Sequence, residues 1–269
     1  MKTHQPRKRF GQHFLTDQAL INRLVNAIAP KSDQILVEIG PGEGALTSAL
    51  LDEIPHLHAV ELDRDLISSL EQRYSPERLT LHAGDALKFD FATLAEPGKQ
   101  LRIVGNLPYN ISTPVIFHLL EHTPQLQDMH FMLQKEVVDR LIASPGGGDW
   151  GRLSIMVQYH CQADFLFSVP PEAFRPPPRV NSAVVRLIPH AQIETQTQTQ
   201  PPTAQDYPLF CRMVTQVFSQ RRKTLKNGLK SFLDASTIQA VGIDPGLRPE
   251  QLSVADFVSL ANAAAEQQP

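Results

Sequence analysis

A mostly parallel α/β sheet followed by a small all-helical domain is the fold this sequence predicts, on three observations. From Ile35 to Gln134 short β-rich runs alternate with amphipathic stretches, the pattern of successive βαβ units. A polar, repetitive, Pro-containing stretch, 191–205, reads as a linker. Beyond it the remaining patterns are helical. The expected organisation is a first domain over 1–190 that begins with a basic arm, the linker over 191–205, and a helical domain over 206–269.

The elements follow in order. Strands are expected over 35–39, 57–61, 79–82, 101–104 and 129–133, where β-branched and apolar residues cluster. Helices are expected over 45–53, 63–73, 113–121 and 135–143, where apolar residues recur at three- and four-residue spacing; Asp63 and Ser112 are the expected N-caps. After Trp150 the pattern changes. The long apolar stretch 153–169 and the run 183–188 read as an antiparallel pair closing one sheet edge, joined by a Pro-rich loop over 169–178. Beyond the linker, helices are expected over 207–219, 222–233 and 254–265.

Composition removes several classes. With 42% apolar and 20% charged residues the 269-residue chain can bury a core, and its longest apolar runs fall well short of the roughly 18 residues of a membrane span. No apolar segment follows the basic N-terminus, so no secretory signal is expected and a cytoplasmic location is the default. Two cysteines, Cys161 and Cys211, make neither a disulfide framework nor a zinc site, and no metal is expected. Against 28 acidic residues stand 25 Lys and Arg, so any nucleic-acid surface must be a local patch.

A strand, then Glu38-Ile-Gly40-Pro-Gly42-Glu-Gly44-Ala45, then a helix is the layout of a nucleotide-cofactor loop, in which glycines permit a tight turn and close backbone approach. Its competitor is a turn that binds nothing. Pro41 removes one backbone N–H, the kind of donor a pyrophosphate wants, and so favours a cofactor without phosphates. Glu61 ends the second strand, where a carboxylate can accept from both ribose hydroxyls. That suits NAD and S-adenosylmethionine equally. Asp85 follows the third strand and can accept from the adenine amine of a cofactor, or serve as an ordinary turn residue.

After the fourth strand comes Gly105-Asn106-Leu107-Pro108-Tyr109-Asn110. Asn106–Tyr109 resembles the (Asp/Asn)-Pro-Pro-(Tyr/Phe) motif of enzymes that methylate exocyclic amines of bases. An adenine N6 amine is a poor nucleophile because its lone pair is delocalised into the ring. The Asn106 side-chain oxygen and the Leu107 or Pro108 carbonyl can accept its two N–H groups and stabilise positive charge as it develops. Tyr109 can stack on the extruded base. The competing reading is a proline-terminated turn with a core tyrosine.

Taken in order, Arg9–Leu15, Glu38–Thr47, Val60–Arg64, Gly105–Pro114, His130–Glu136, Phe174–Ser182 and Gln220–Thr224 make the chain similar, over almost its full length, to the ribosomal RNA adenine N6-dimethyltransferases. Within them the bacterial group that modifies two adjacent adenines near the 3′ end of small-subunit 16S rRNA is the most similar. The resemblance implies a Rossmann-like class I methyltransferase fold and S-adenosylmethionine as cofactor, contacting His13, Leu15, Gly40, Glu61, Asp85 and Asn106. The family often carries Asn where His13 stands. It implies Phe174 as a second aromatic wall of the base pocket, with a hydrophobic plug as the competing reading. It also turns two basic clusters, Arg7, Lys8 and Arg9, and Arg221, Arg222, Lys223, Lys226 and Lys230, from solvated faces into RNA contacts. The implied partner is 16S rRNA in the small (30S) subunit, met by a monomeric chain with a role in subunit biogenesis. The alternatives are a 23S rRNA adenine methyltransferase, a DNA adenine methyltransferase, an assembly factor acting by binding, and a nicotinamide dehydrogenase.

Overall fold

The computed structural model describes residues 13–193 and 203–267. Among these residues two compact units emerge, one made of 13–138 and 162–193, the other of 139–161 and 203–267.

In the first unit the expected βαβ run is present. Strands β2 (Ile35–Ile39), β3 (Leu57–Glu61), β4 (Leu79–Ala83), β5 (Leu101–Asn106) and β6 (Leu126–Gln134) are parallel neighbours, and β9 (Ser182–Pro189) runs antiparallel to β6. With β7 (Cys161–Val169) the seven strands lie in the order β4-β3-β2-β5-β6-β9-β7. Strand order reverses at β2, whose neighbours are β3 and β5. Ligands of open α/β sheets bind at such a switch point, beyond the carboxyl ends of the strands. Helices α2 (Ala45–Glu53), α3 (Arg64–Glu71), α4 (Ser112–Leu120) and α5 (Lys135–Ile142) follow their strands as expected.

Three local features differ from expectation. A helix α1 (Gln18–Ile28) precedes the sheet, capped by the Asp17 carboxylate and burying Ile21, Leu24, Val25 and Ile28. A two-stranded ribbon joins β1 (Phe14–Leu15) to β8 (Phe174–Arg175), a pairing across about 160 residues that no local pattern announces. Asp63 caps α3 through its side chain, but the N-cap of α4 is Ile111; Ser112 is already helical and its hydroxyl donates to the Tyr109 carbonyl.

The second unit corrects the expected boundary at 190, because 139–161 packs with the C-terminal helices. The Trp150 indole N–H donates to the Leu252 carbonyl, and Gly146 N–H to that of Glu250. The apolar stretch 153–169 is not one strand: α6 (Arg152–His160) precedes β7, and a helix buried along Leu153–Val157 leaves too few polar positions for its period to be read. Helices α7 (Tyr207–Phe218) and α10 (Val254–Ala265) match expectation, while the helix expected over 222–233 shrinks to α8 (Leu225–Gly228), with α9 (Ala235–Ala240) after it. The N–H groups of Leu225 and Lys226 donate to Leu247 and Pro245 carbonyls, so tertiary bonds replace a longer helix. Part of the linker, 194–202, lies outside the described residues.

Candidate active site

The carboxyl ends of β2, β3 and β5 surround a cavity of about 300 Å³. Its floor is the glycine loop. Gly42 has a φ of +59°, and a Cβ there would stand 2.9 Å from the Phe14 ring, so only glycine fits. Gly105, near the end of β5, lets that strand approach β2; an added Cβ would meet the Ile39 carbonyl oxygen at 2.5 Å. Gly40 also lines the cavity, as do His13 and Leu15.

Glu61 and Glu38, two of the buried carboxylates in the wall, are held differently. Glu61 accepts three backbone N–H groups, from Leu62 at 2.8 Å, Asp63 at 2.9 Å and Gly42 at 3.3 Å. Burial still raises its pKa, these bonds oppose the rise, and the Asp63 charge adds to it. Glu38 has a single side-chain donor, the Thr47 hydroxyl at 2.6 Å. Burial pushes it up to about 7, the Thr47 bond opposes that, and the neighbouring Glu61 adds to it. Glu38 was not singled out from the sequence, although a lone acid inside the run Ile-Leu-Val-Glu-Ile was a signal. Asp85 lines the cavity with one oxygen accepting from Leu87 N–H at 3.0 Å.

Asn106, the last residue of β5, donates from Nδ2 to the His13 carbonyl at 2.8 Å. That bond fixes the amide, turning Oδ1 into its remaining acceptor. Because the partner is a backbone oxygen, the contact is independent of the side chain at position 13. The His13 ring donates from Nδ1 to the Pro176 carbonyl at 2.8 Å and stacks on Tyr109 with centroids 5.5 Å apart and planes at 28°. The Tyr109 hydroxyl bonds Ser182 Oγ at 2.7 Å; burial raises its pKa, so it stays a neutral phenol. Leu107 is fully buried with its N–H on the Met132 carbonyl, while the Pro108 carbonyl accepts from Ile111.

The structure thus brings His13, Leu15, Gly40, Glu61, Asp85 and Asn106–Tyr109 to one cavity. It does not bring Phe174 there. That ring is 3% exposed and belongs to the core cluster with Leu15 and Val169, because the β1–β8 ribbon turns it inward. The hydrophobic-plug reading replaces the aromatic wall, and the ring beside Tyr109 is His13. In the second unit Arg221, Arg222, Lys223 and Lys226 are all exposed, and Arg221 Nη2 also donates to the carbonyls of Gly148 at 3.3 Å and Trp150 at 3.0 Å. Arg7, Lys8 and Arg9 lie outside the described residues.

The description "Ribosomal RNA adenine dimethylase" belongs to the family model that matches residues 3–266. The chain belongs to this family. It is 63% identical over 262 residues to the ribosomal RNA small subunit methyltransferase A of Alcanivorax borkumensis, covering 97% of this chain and 91% of that one. The protein of the same name from Pseudomonas aeruginosa is 59% identical, covering 98% and 96%. Among solved structures, a dimethyladenosine transferase from Plasmodium falciparum superposes with a TM-score of 0.75 at 26% identity, covering 92% of this chain and 96% of that one. The 23S rRNA methyltransferase ErmE shares the fold, with a TM-score of 0.68 at 23% identity, covering 94% and 99%.

As a ribosomal RNA adenine dimethylase, the chain is an enzyme of adenine methylation with a Rossmann-like domain. Its cavity wall fits S-adenosylmethionine. Five acids, Glu38, Glu43, Glu61, Asp63 and Asp85, line it, and among the described residues no Lys or Arg does. A wall of that sign suits a cationic sulfonium and opposes the pyrophosphate of a dinucleotide. Among the described residues no helix is long and apolar enough to cross a membrane.

Proposed function

We propose that this ribosomal RNA adenine dimethylase methylates the N6 amines of two adjacent adenines in the 3′-terminal hairpin loop of 16S rRNA, within the 30S subunit, as a cytoplasmic monomer contributing to subunit biogenesis. The observation that carries this reading is the fixed amide of Asn106, held by the His13 carbonyl with Oδ1 left as the acceptor. Relatives that are small subunit methyltransferases support the small subunit over the large.

S-Adenosylmethionine supplies an electrophilic methyl group on a sulfonium. The side chains do the rest. Glu61 accepts the ribose hydroxyls, for which its carboxylate keeps lone pairs beyond the three backbone bonds. Asp85 accepts from the adenine amine of the cofactor. His13, Leu15 and Gly40 line the same cavity and shape its walls. Asn106 Oδ1 and a peptide carbonyl of Leu107 or Pro108 accept the two N–H groups of the target amine, pulling its nitrogen toward sp³ geometry and offsetting the charge that grows on it. With the cofactor bound, the amine proton would acidify as the N–C bond forms and the methyl–sulfur bond breaks to leave a neutral thioether, and it would pass to water or a carbonyl. Tyr109 stacks on the target base. Positioning supplies most of the rate, since the attack is in line. Arg222, Lys223 and Lys226, together with Arg7, Lys8 and Arg9, take RNA phosphates, and the helical unit selects the substrate by shape.

The test is transfer of radiolabel from S-adenosylmethionine to unmethylated small subunits, large subunits and duplex DNA, with mapping of the modified base. Label in N6-dimethyladenine at the 3′ end of the small-subunit RNA is expected. Label confined to the large subunit or DNA would overturn the substrate, and small subunits bound without label would overturn the catalytic role.

A further inference from the structure

The edge strand β7 carries a ring that the proposed mechanism does not use. Phe165, Phe167 and Val169 alternate onto one side of the strand. Phe167 and Val169 are buried in the core, yet Phe165 is 43% exposed. Lys135, the first residue of α5, holds its ammonium 6.0 Å from the centre of that ring.

This ring is tied to the base pocket through short links. Lys135 N–H donates to the Asn181 carbonyl, Ser182 pairs with Gln134 across β9 and β6, and Ser182 Oγ bonds the Tyr109 hydroxyl. Arg179, Val180 and Asn181, which lead into Ser182, are all exposed. A part-exposed ring, a cation over it and direct continuity with Tyr109 are the parts of a single-stranded RNA platform, where bases stack on rings and cations follow the backbone.

We propose that Phe165 and Lys135 form a shelf for a nucleotide adjacent to the target adenine, the base stacking on Phe165 and its phosphate facing Lys135. Extruding one base unstacks its neighbour, which needs a new surface. The shelf supplies that surface and sets which flanking nucleotide the enzyme accepts. The inference rests on the proposed RNA substrate.

The experiment compares Phe165→Ala, Phe165→Leu, Phe165→Trp and Lys135→Ala on unmethylated small subunits. Phe165→Ala is expected to raise the KM for subunits about tenfold, with cofactor affinity unchanged. Phe165→Trp should restore it and Phe165→Leu should not, because leucine has no π face. Lys135→Ala should lower the salt slope of binding by about 0.7, the single-strand value. In the Phe165→Trp protein, a single-stranded RNA oligonucleotide with two adjacent adenines should quench the added tryptophan. Quenching reads stacking whether or not methyl is transferred, so it separates failure of the shelf from failure of the assigned reaction. Full rescue by leucine would mean an apolar protein surface as occupant and would overturn the proposal, as would an unquenched tryptophan.

Discussion

The two units treat their polar groups in opposite ways. In the first, the groups that matter are buried or half-buried and held by backbone: Glu61 by three N–H groups, Asn106 by the His13 carbonyl. In the second, the cations Arg222, Lys223 and Lys226 stand exposed on a turn and the short α8. A site that steers a methyl group needs fixed acceptors, because misplacement by an ångström is costly in rate. A surface that meets a phosphate backbone needs charge more than fixed geometry. Substitutions should therefore act steeply in the first unit and mildly in the second.

The steepest effect belongs to Asn106. Asn106→Ala should lower kcat by about 10³ or more, the scale of losing a transition-state hydrogen-bonding group, with cofactor affinity only partly reduced. Single-turnover transfer with saturating cofactor checks it; normal turnover with lost affinity would reassign Asn106 to binding alone.

Glu38 sharpens the contrast from the side of stability. Its folded pKa of about 7 lies above the ordinary 4.5, so the folded chain retains a proton the unfolded chain releases between these values. The contribution to stability is present in full below about pH 4.5 and is lost as pH rises through 7. Glu38→Gln, which keeps an acceptor for Thr47, should be more stable than the parent at pH 8 by about 3 kcal/mol, and the gap should close toward pH 4.5. Urea unfolding across that range reads it.

Glu61→Ala should weaken cofactor binding by roughly 30-fold, about 2 kcal/mol, while kcat at saturation changes less. Calorimetry with S-adenosylmethionine measures the first and initial rates the second.

The smallest effects test the second unit. Arg222→Ala should reduce the salt slope of RNA binding by about 0.7–0.9 and weaken binding a few-fold. Arg221→Ala should behave differently. Its guanidinium holds the Gly148 and Trp150 carbonyls, so its loss should shift the emission of Trp150, the one tryptophan of the chain, where Arg222→Ala leaves it unchanged. Identical fluorescence in the two variants would erase the distinction between the arginine that holds these carbonyls and its neighbour.

Local pattern by itself determined the βαβ run, the glycine loop, the acid ending β3 and the Asn106–Tyr109 motif. Each is written within a few consecutive residues, where hydrophobic period and turn chemistry act directly. Resemblance over the whole chain then narrowed the reaction, since loop and motif alone left more than one cofactor open. Only the tertiary structure decided what depends on partners distant in sequence. The ribbon pairing Phe14–Leu15 with Phe174–Arg175 turned Phe174 into the core and brought His13 against Tyr109. Packing of Trp150 against Leu252 moved 139–161 into the helical unit, and the Gly148 and Trp150 carbonyls hold one nitrogen of the exposed Arg221. Glu38 reached its raised pKa because folding removed water from a carboxylate that one hydroxyl cannot fully resolvate. Burial and long-range pairing are properties of neighbours, and a chain read residue by residue does not state who its neighbours are.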